Sequence, residues 1–280
     1  MSFDRRITPA RPDLAAAHLR GQVEAEQYVE GQAMRVTLPA APLRREPAPD
    51  MPYETEALAG EEVRVYEEME GWAWVQLQRD GYVGWLSANA LGPVDPAPTH
   101  RVVALRTLVY PGPGFKAEPV CALSIGAEVA VARSEGAWAA TPLGFVHAAH
   151  LAPLGAHEAD FVAVAEKLLG TPYLWGGKSS LGIDCSGLVQ LSMALAGRAA
   201  PRDSDMQERG IGTLLPPGTN ALERGDLVFW KGHVGIMRDA DTLLHANAHH
   251  MAVASEPLAE AVARIEAKSF GAITSLRRPG

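Results

Sequence analysis

Cys185 is the residue of this chain best placed to do covalent chemistry. It stands in Gly182-Ile183-Asp184-Cys185-Ser186-Gly187-Leu188-Val189-Gln190, behind Thr171-Pro172-Tyr173-Leu174-Trp175-Gly176-Gly177. Glycines let the backbone pass close to a neighbour or take positive φ. Asp184 reads as an N-cap, and Leu188, Val189, Leu191, Met193 and Leu195 then recur at helical spacing up to Gly197. The cysteine is therefore expected on the first turn of a helix. Unpaired N–H groups and the helix dipole there favour a thiolate over a thiol. A cysteine flanked by Asp, Ser and Gly lacks the apolar surroundings of an inert buried thiol.

A nucleophile needs a base, and the base needs an orienting partner. Gly225-Asp226-Leu227-Val228-Phe229-Trp230 and Gly232-His233-Val234-Gly235-Ile236-Met237 read as two short apolar strands joined by a turn. Thr242-Leu243-Leu244-His245-Ala246-Asn247 reads as a third. In a meander, His233 and His245 fall on neighbouring strands, His233 as general base and His245 as its orienter. His249 and His250 follow closely, but no carboxylate or thiolate accompanies them at a familiar ligand spacing, so no metal and no cofactor are expected. Gly177-Lys178-Ser179 resembles the end of a phosphate-binding loop. That loop requires a glycine where Pro172 stands, which excludes nucleotide binding.

The order Tyr173, Asp184-Cys185-Ser186-Gly187, His233, His245 resembles the NlpC/p60 family of cysteine peptidases, which cut bacterial cell-wall peptides. Tyr-x-Trp-Gly-Gly before the cysteine and Gly-His-Val-Gly-Ile after it make the match specific, over roughly residues 158–280. The resemblance implies a papain-like fold, with the Tyr173 hydroxyl near the thiol and able to complete an oxyanion site with the Cys185 backbone N–H. Asp184 stays open to two readings, helix cap and substrate contact, and Ser186 is read as shaping a substrate subsite.

The resemblance extends to the subgroup of γ-D-glutamyl-L-diamino acid endopeptidases, which carry N-terminal SH3-like domains and act on free muropeptides. In that subgroup an Asp/Ser pair binds the substrate's free α-amine, and Asp203-Ser204-Asp205 matches it. The first barrel there supplies an acidic residue and a tyrosine that close the far end of the groove. Tyr82 matches the tyrosine, and Glu54 or Glu56, with Glu56 carried forward, the acid. The implied partner is a peptidoglycan-derived peptide, L-Ala-γ-D-Glu-diamino acid, cut between γ-D-Glu and the diamino acid. The alternatives are a secreted hydrolase docked on intact wall through its barrels, and a wall-peptide binding module without turnover.

These residues have to be held by folded domains, and 280 residues suffice for two or three. Hydrophobic content of 47% and charged content of 21% fit a globular chain, and a formal charge of −8 argues against nucleic acid or a polyanionic wall as main partner. No apolar run is long enough to cross a bilayer, so no membrane partner is expected. Met1-Ser2-Phe3-Asp4-Arg5-Arg6-Ile7-Thr8-Pro9 has no apolar stretch behind its charges and does not read as a secretory signal. Cys121 and Cys185 are the only cysteines. Cys121 reads as a small buried hydrophobe, and with no disulfide framework the expected compartment is the cytoplasm.

The fold class expected is α+β: a papain-like catalytic domain preceded by two small all-β SH3-like barrels. An arm, 1–32, includes a short helical patch at Asp13–Arg20. An internal repeat follows. Gly60-Glu61-Glu62-Val63-Arg64-Val65-Tyr66, Glu70-Gly71-Trp72-Ala73-Trp74-Val75 and Gly81-Tyr82-Val83-Gly84-Trp85-Leu86 are matched by Gly126–Ala132, Glu135–Ala140 and Leu143–His147. The pattern resembles bacterial SH3-like barrels, placed at 33–93 and 99–154 with a proline-rich linker. The segment 156–280 opens with a helix over Asp160–Leu169 and carries a polar loop at Pro201–Gln207, then a glycine- and proline-rich stretch. It continues the sheet at Met251–Ala254 and ends in a helix at Leu258–Lys268 and a strand at Ile273–Arg278.

Overall fold

The computed structural model describes residues 3–216, 218–219 and 221–280. Met1 and Ser2, at the head of the expected arm, and Pro217 and Asn220, at the glycine- and proline-rich stretch, lie outside the described residues. The chain divides into two compact units, Met1–Ala156 and His157–Gly280.

In the first unit, period-two strands pair in the order Tyr53–Leu58, Ala40–Arg44, Val83–Ser87, Trp72–Leu77, Glu62–Met69, Gln32–Val36 and Leu91–Gly92. Val63, Val75, Leu77 and Leu86 are fully buried inside this sheet. The repeat's second copy forms a five-stranded sheet, Cys121–Ser124, Arg106–Tyr110, Gly144–His147, Trp138–Thr141 and Arg133–Glu135, with a three-stranded sheet around His100–Val102. Leu58 and Ala59 of the first copy join the core of the second, with Val102, Val109 and Val146. Gly60 makes that closeness possible. A Cβ there would stand 2.2 Å from the Glu128 carbonyl oxygen, and its φ is +86°. Cys121 is a free thiol, but it packs against this core while remaining partly exposed, so the expected burial is incomplete.

The arm differs from expectation. Leu14–Ala16 is a strand, parallel to Gln27–Val29, and Ala17–Leu19 is a single 3₁₀ turn. The stretch between Pro12 and Gly21 is too short to sustain an isolated helix. Instead it buries Leu14, Ala15, Ala16 and Leu19 against Trp74 and Trp85. The Arg11 guanidinium lies 4.3 Å from the Trp74 ring centroid and 5.1 Å from that of Trp85.

The second unit is helices against one antiparallel sheet. Asp160 caps helix α1 (Phe161–Lys167) by accepting from Val162 N–H at 2.8 Å. Helix α2 runs Cys185–Leu195, with all but Ala194 buried. Helix α3, Ser204–Gly210, occupies what the sequence presented as a polar loop. Helix α4 is Leu258–Lys268. The sheet order is Thr213–Leu214, Ser275–Arg278, Leu227–Trp230, His233–Met237, Thr242–Asn247 and Ala252–Pro257. Its pairings are antiparallel throughout, with Trp230 opposite His233, Ile236 opposite Leu244 and His245 opposite Ala254. The α2 helix packs on the His233–Met237 and Thr242–Asn247 strands, which brings the cysteine's element to the histidines' strands.

Candidate active site

Cys185 is the first residue of α2, 8% exposed. Asp184, in extended conformation, caps the helix by accepting from Gly187 N–H at 2.7 Å. Gly187 has to be glycine, because a Cβ there would lie 2.4 Å from the Gly177 carbonyl oxygen. The glycine-rich loop thus lies directly on the first turn.

The remaining valences of Asp184 go to a cation. Arg202, 1% exposed, donates from Nη1 to Asp184 Oδ1 at 2.9 Å and from Nη2 to Oδ2 at 2.7 Å. Its Nη1 also donates to Ser186 Oγ at 2.9 Å, and its Nη2 to the Gly177 carbonyl at 3.2 Å. Gly176 N–H donates to Asp184 Oδ2 at 2.9 Å. Asp184 is thus the helix cap, and its carboxylate and the Ser186 hydroxyl have protein partners. Both side chains are buried and consumed in a fork that joins the loop before the cysteine, the cysteine helix and the loop before α3. Arg202 was visible in the sequence only as one charge of a polar loop.

His233 and His245 meet on the sheet. His233 Nε2 and His245 Nδ1 are 2.8 Å apart, and His245 Nε2 is 2.7 Å from Glu256 Oε1. Arg264, on α4, donates to the same carboxylate oxygen. Sequence reasoning passed over Glu256. Its signal was the continued alternation beyond Ala254, which returns a carboxylate to the face that carries His245. The His233 ring is walled by Trp230 (centroids 5.6 Å) and stacked on Phe270 (5.3 Å, 7° between planes). The backbone N–H of Val234, the residue after His233, bonds to the Cys185 sulfur, so strand and thiol are in contact.

This burial changes the resting charge state expected from the helix N-terminus. Desolvation, reinforced by Asp184, pushes the Cys185 thiol up to about 12, against the pull of the Val234 N–H, Arg202 and the Ser186 N–H. Desolvation and the neighbouring His245 bring His233 down to about 3. His245 is also lowered, chiefly by burial, with Glu256 opposing. Both shifts favour a neutral thiol and a neutral imidazole over the thiolate expected from the helix N-terminus. The Tyr173 hydroxyl's pKa is raised by burial, then by Cys185 and Asp184, which keeps it protonated.

The α-amine candidates separate. Gln207 Nε2 donates to Ser186 O at 2.9 Å and to Pro201 O at 2.8 Å, which ties the start of α3 to the cysteine's turn. Asp203 is the N-cap residue of α3 and Ser204 its first residue, both half-buried. Asp205 pairs with Arg209 at 2.9 Å on the surface of α3. In the first unit, the Tyr82 ring is buried and its hydroxyl is 3.5 Å from Glu54 Oε2. Glu56, the carboxylate carried forward from the sequence, is buried at 6% exposure in the same strand.

Comparison with known proteins follows these divisions. Residues 43–91 match the bacterial dipeptidyl-peptidase Sh3 domain, and residues 170–266 match the NlpC/P60 family. Dipeptidyl-peptidase 6 of Lysinibacillus sphaericus is 38% identical over 89 residues, 31% of this chain and 32% of its own, so the chain spans about a third of that relative. The γ-D-glutamyl-L-lysine dipeptidyl-peptidase of Bacillus subtilis is 29% identical over 218 residues, 69% of this chain and 72% of its own. A crystal structure of an NlpC/P60 family protein from Bacillus cereus superposes with a TM-score of 0.74 at 20% identity. It covers 89% of this chain and 99% of its own, a likeness of fold. Among the described residues, no helix is long and apolar enough to cross a membrane.

Two measurements test the site's electrostatics. Arg202→Met, which strands Asp184 in the interior, is expected to cost about 3–5 kcal/mol in urea unfolding, and Asp184→Asn combined with it to recover part of that loss. A single-variant loss below about 1 kcal/mol would mean that the pair does not hold the loops. In a Cys121→Ser background, iodoacetamide should alkylate Cys185 at a rate that climbs about tenfold per pH unit from pH 6 to 10, because the thiolate fraction grows at that rate below the thiol's pKa. A plateau near neutrality would reveal a preformed thiolate and contradict the neutral pair.

Proposed function

Since the chain carries an NlpC/P60 peptidase domain behind a bacterial dipeptidyl-peptidase SH3 domain, we propose that it is a cysteine endopeptidase cutting the γ-D-glutamyl–diamino acid bond of free peptidoglycan peptides. The observation that carries this reading is the contact of the Val234 N–H with the Cys185 sulfur, one residue from a base hydrogen-bonded at 2.8 Å to a second imidazole. The bond specificity is that in the name of the Bacillus subtilis relative, a γ-D-glutamyl-L-lysine dipeptidyl-peptidase.

In the proposed reaction, Cys185 attacks the scissile carbonyl as His233 takes the thiol proton. Proton transfer and attack belong to one step, because either charge alone is strongly disfavoured in this buried site. The two charges appear together and relieve each other's desolvation. The tetrahedral oxyanion forms at the N-terminus of α2, with the Tyr173 hydroxyl as a further donor. Imidazolium His233 then protonates the leaving amine, the γ-D-glutamyl group stays on sulfur as a thioester, and water activated by His233 releases it.

Asp203 and Ser204 are proposed to receive the α-ammonium of an N-terminal L-Ala. An acylated N-terminus offers the carboxylate no ammonium to bind, and polar discrimination of this kind exceeds what apolar contact achieves. The proposed setting is recycling of wall peptides in the cytoplasm.

Mass spectrometry of products from L-Ala-γ-D-Glu-diamino acid tests the proposal. The expected products are L-Ala-D-Glu and the free diamino acid. Cys185→Ala should abolish turnover and leave the unfolding midpoint unchanged within error; retained turnover would place the nucleophile elsewhere. Acetylating the peptide's α-amine should lower kcat/KM by about 10²-fold or more, and equal rates on both peptides would remove the ammonium subsite.

A further inference from the structure

The hydrogen-bond chain does not stop at the second histidine. His233, His245 and Glu256 come from three adjacent strands, and the antiparallel register puts them on one sheet face: His245 lies opposite Ala254, so Glu256 is its diagonal neighbour. Every proton in this chain can be assigned from its end. Arg264 is donor-only, and it spends Nη2 on Glu256 Oε1. Burial is partial at Glu256, and the hydrogen bond from His245, with the nearby charges of Arg264 and His250, holds its carboxyl below the usual range, so it is ionised and accepts only. His250 Nδ1, 3.9 Å from the same oxygen, bonds to Asn247 Oδ1 at 3.1 Å.

An acceptor 2.7 Å from His245 Nε2 requires a proton on that nitrogen. A neutral His245 then has a lone pair on Nδ1. His233 Nε2, 2.8 Å from that lone pair, has to carry the proton between them. The single unprotonated nitrogen of a neutral His233 is therefore Nδ1, free to take a proton from a thiol. The reverse order is equally well bonded between the two rings, with both protons on Nδ1, but it leaves His233 with no basic nitrogen on that side. Between the rings the two orders are alike, so they differ at the ends of the chain, and the ionised group stands at the Glu256 end.

We infer that Glu256 is a positioning residue that selects the proton order of the His245–His233 pair and so keeps His233 Nδ1 unprotonated as the base for Cys185. This rests on the peptidase reading for its functional meaning, while the proton order is a property of the resting protein. Arg264 sharpens the choice. With the carboxylate gone, the guanidinium remains near His245 Nε2 as a donor and favours a lone pair there, which is the reverse order. It also pins Oε1 as the acceptor, so a glutamine at 256 presents its carbonyl oxygen to both Arg264 and His245.

The test compares Glu256→Met, similar in length and unable to accept, with Glu256→Gln. Long-range ¹H–¹⁵N spectra of the full chain with labelled histidine, assigned against His233→Asn and His245→Asn, report which nitrogen carries each proton. Expected are Nε2–H at both rings in the wild type and in Glu256→Gln, and Nδ1–H at both in Glu256→Met. In parallel, kcat on the diamino tripeptide should fall by about 10²–10³-fold in Glu256→Met with KM within about threefold, and stay within about tenfold of wild type in Glu256→Gln. Unchanged tautomers in Glu256→Met overturn the inference whatever the activity, and so do reversed tautomers in Glu256→Gln. If the methionine variant does not fold, the glutamine spectrum decides alone. The spectra need no turnover, so a wild type that cuts no peptide would refute the peptidase reading and leave the proton order still measured.

Discussion

Asp184 and Arg202 leave water together, and the architecture around the cysteine depends on how completely they satisfy each other. Removing a carboxylate and a guanidinium from solvent costs several kcal/mol per ion unless geometry and hydrogen bonding compensate. Here the compensation uses both carboxylate oxygens: Gly187 N–H, Ser186 Oγ and Arg202 Nη1 converge on Oδ1, and Gly176 N–H and Arg202 Nη2 on Oδ2. The glycine loop before the cysteine and the loop before α3 are thereby fixed to the first turn of α2. A loop held this way has little freedom to re-aim, and the cysteine inherits that rigidity.

The same dryness decides the chemistry available. Asp184 stands close enough to raise the thiol's pKa, while Arg202 opposes it less strongly. A site built for a standing thiolate would place the cation nearer the sulfur and the carboxylate farther away. Here both shifts favour the neutral thiol and the neutral ring. In the proposed reaction, the N–H dipoles at the start of α2 and the Tyr173 hydroxyl would act on charge as it develops, in surroundings where water screens little. The SH3-type unit has its own ion pairs and cores, with Arg11 clamped by two tryptophans, and is held by contacts made wholly within it.

Local pattern made Cys185, His233 and His245 legible, because each sits in a segment whose own spacing names its element: a capped helix, and two strands of alternating or continuous apolar residues. The α+β class and the repeat of two barrel-like sheets were legible for the same reason. What the sequence hid was pairwise. Arg202 looks like any charge in a turn until its fork is seen closing on Asp184. Glu256 looks like a solvated residue at a strand end until the register with Thr242–Asn247 is known. Asp184 and Ser186 hid a partner too: polar residues beside the cysteine invite a substrate role, and the cation that meets both lies in a loop before α3. The arm failed through length, since eight residues between a proline and a glycine took their backbone partners from a neighbouring strand.

Register explains why these hidden residues matter together. Side chains alternate faces along a strand, so a slip of one residue between Thr242–Asn247 and Ala252–Pro257 would send Glu256 to the opposite face from His245. A slip between His233–Met237 and Thr242–Asn247 would part the two rings. Nothing in a histidine's own surroundings prevents such slips; the apolar residues between them do. Leu243, Leu244, Ile236 and Val253 are essentially fully buried, Leu243 and Leu244 on opposite faces, and any shift would trade each for a residue that does not fit its site. At roughly 1–3 kcal/mol for each misfitted core side chain, the penalty exceeds the worth of the histidine hydrogen bonds it protects. The geometry of the proposed relay is thus held less by its own polar contacts than by the aliphatic core that fixes how three strands align.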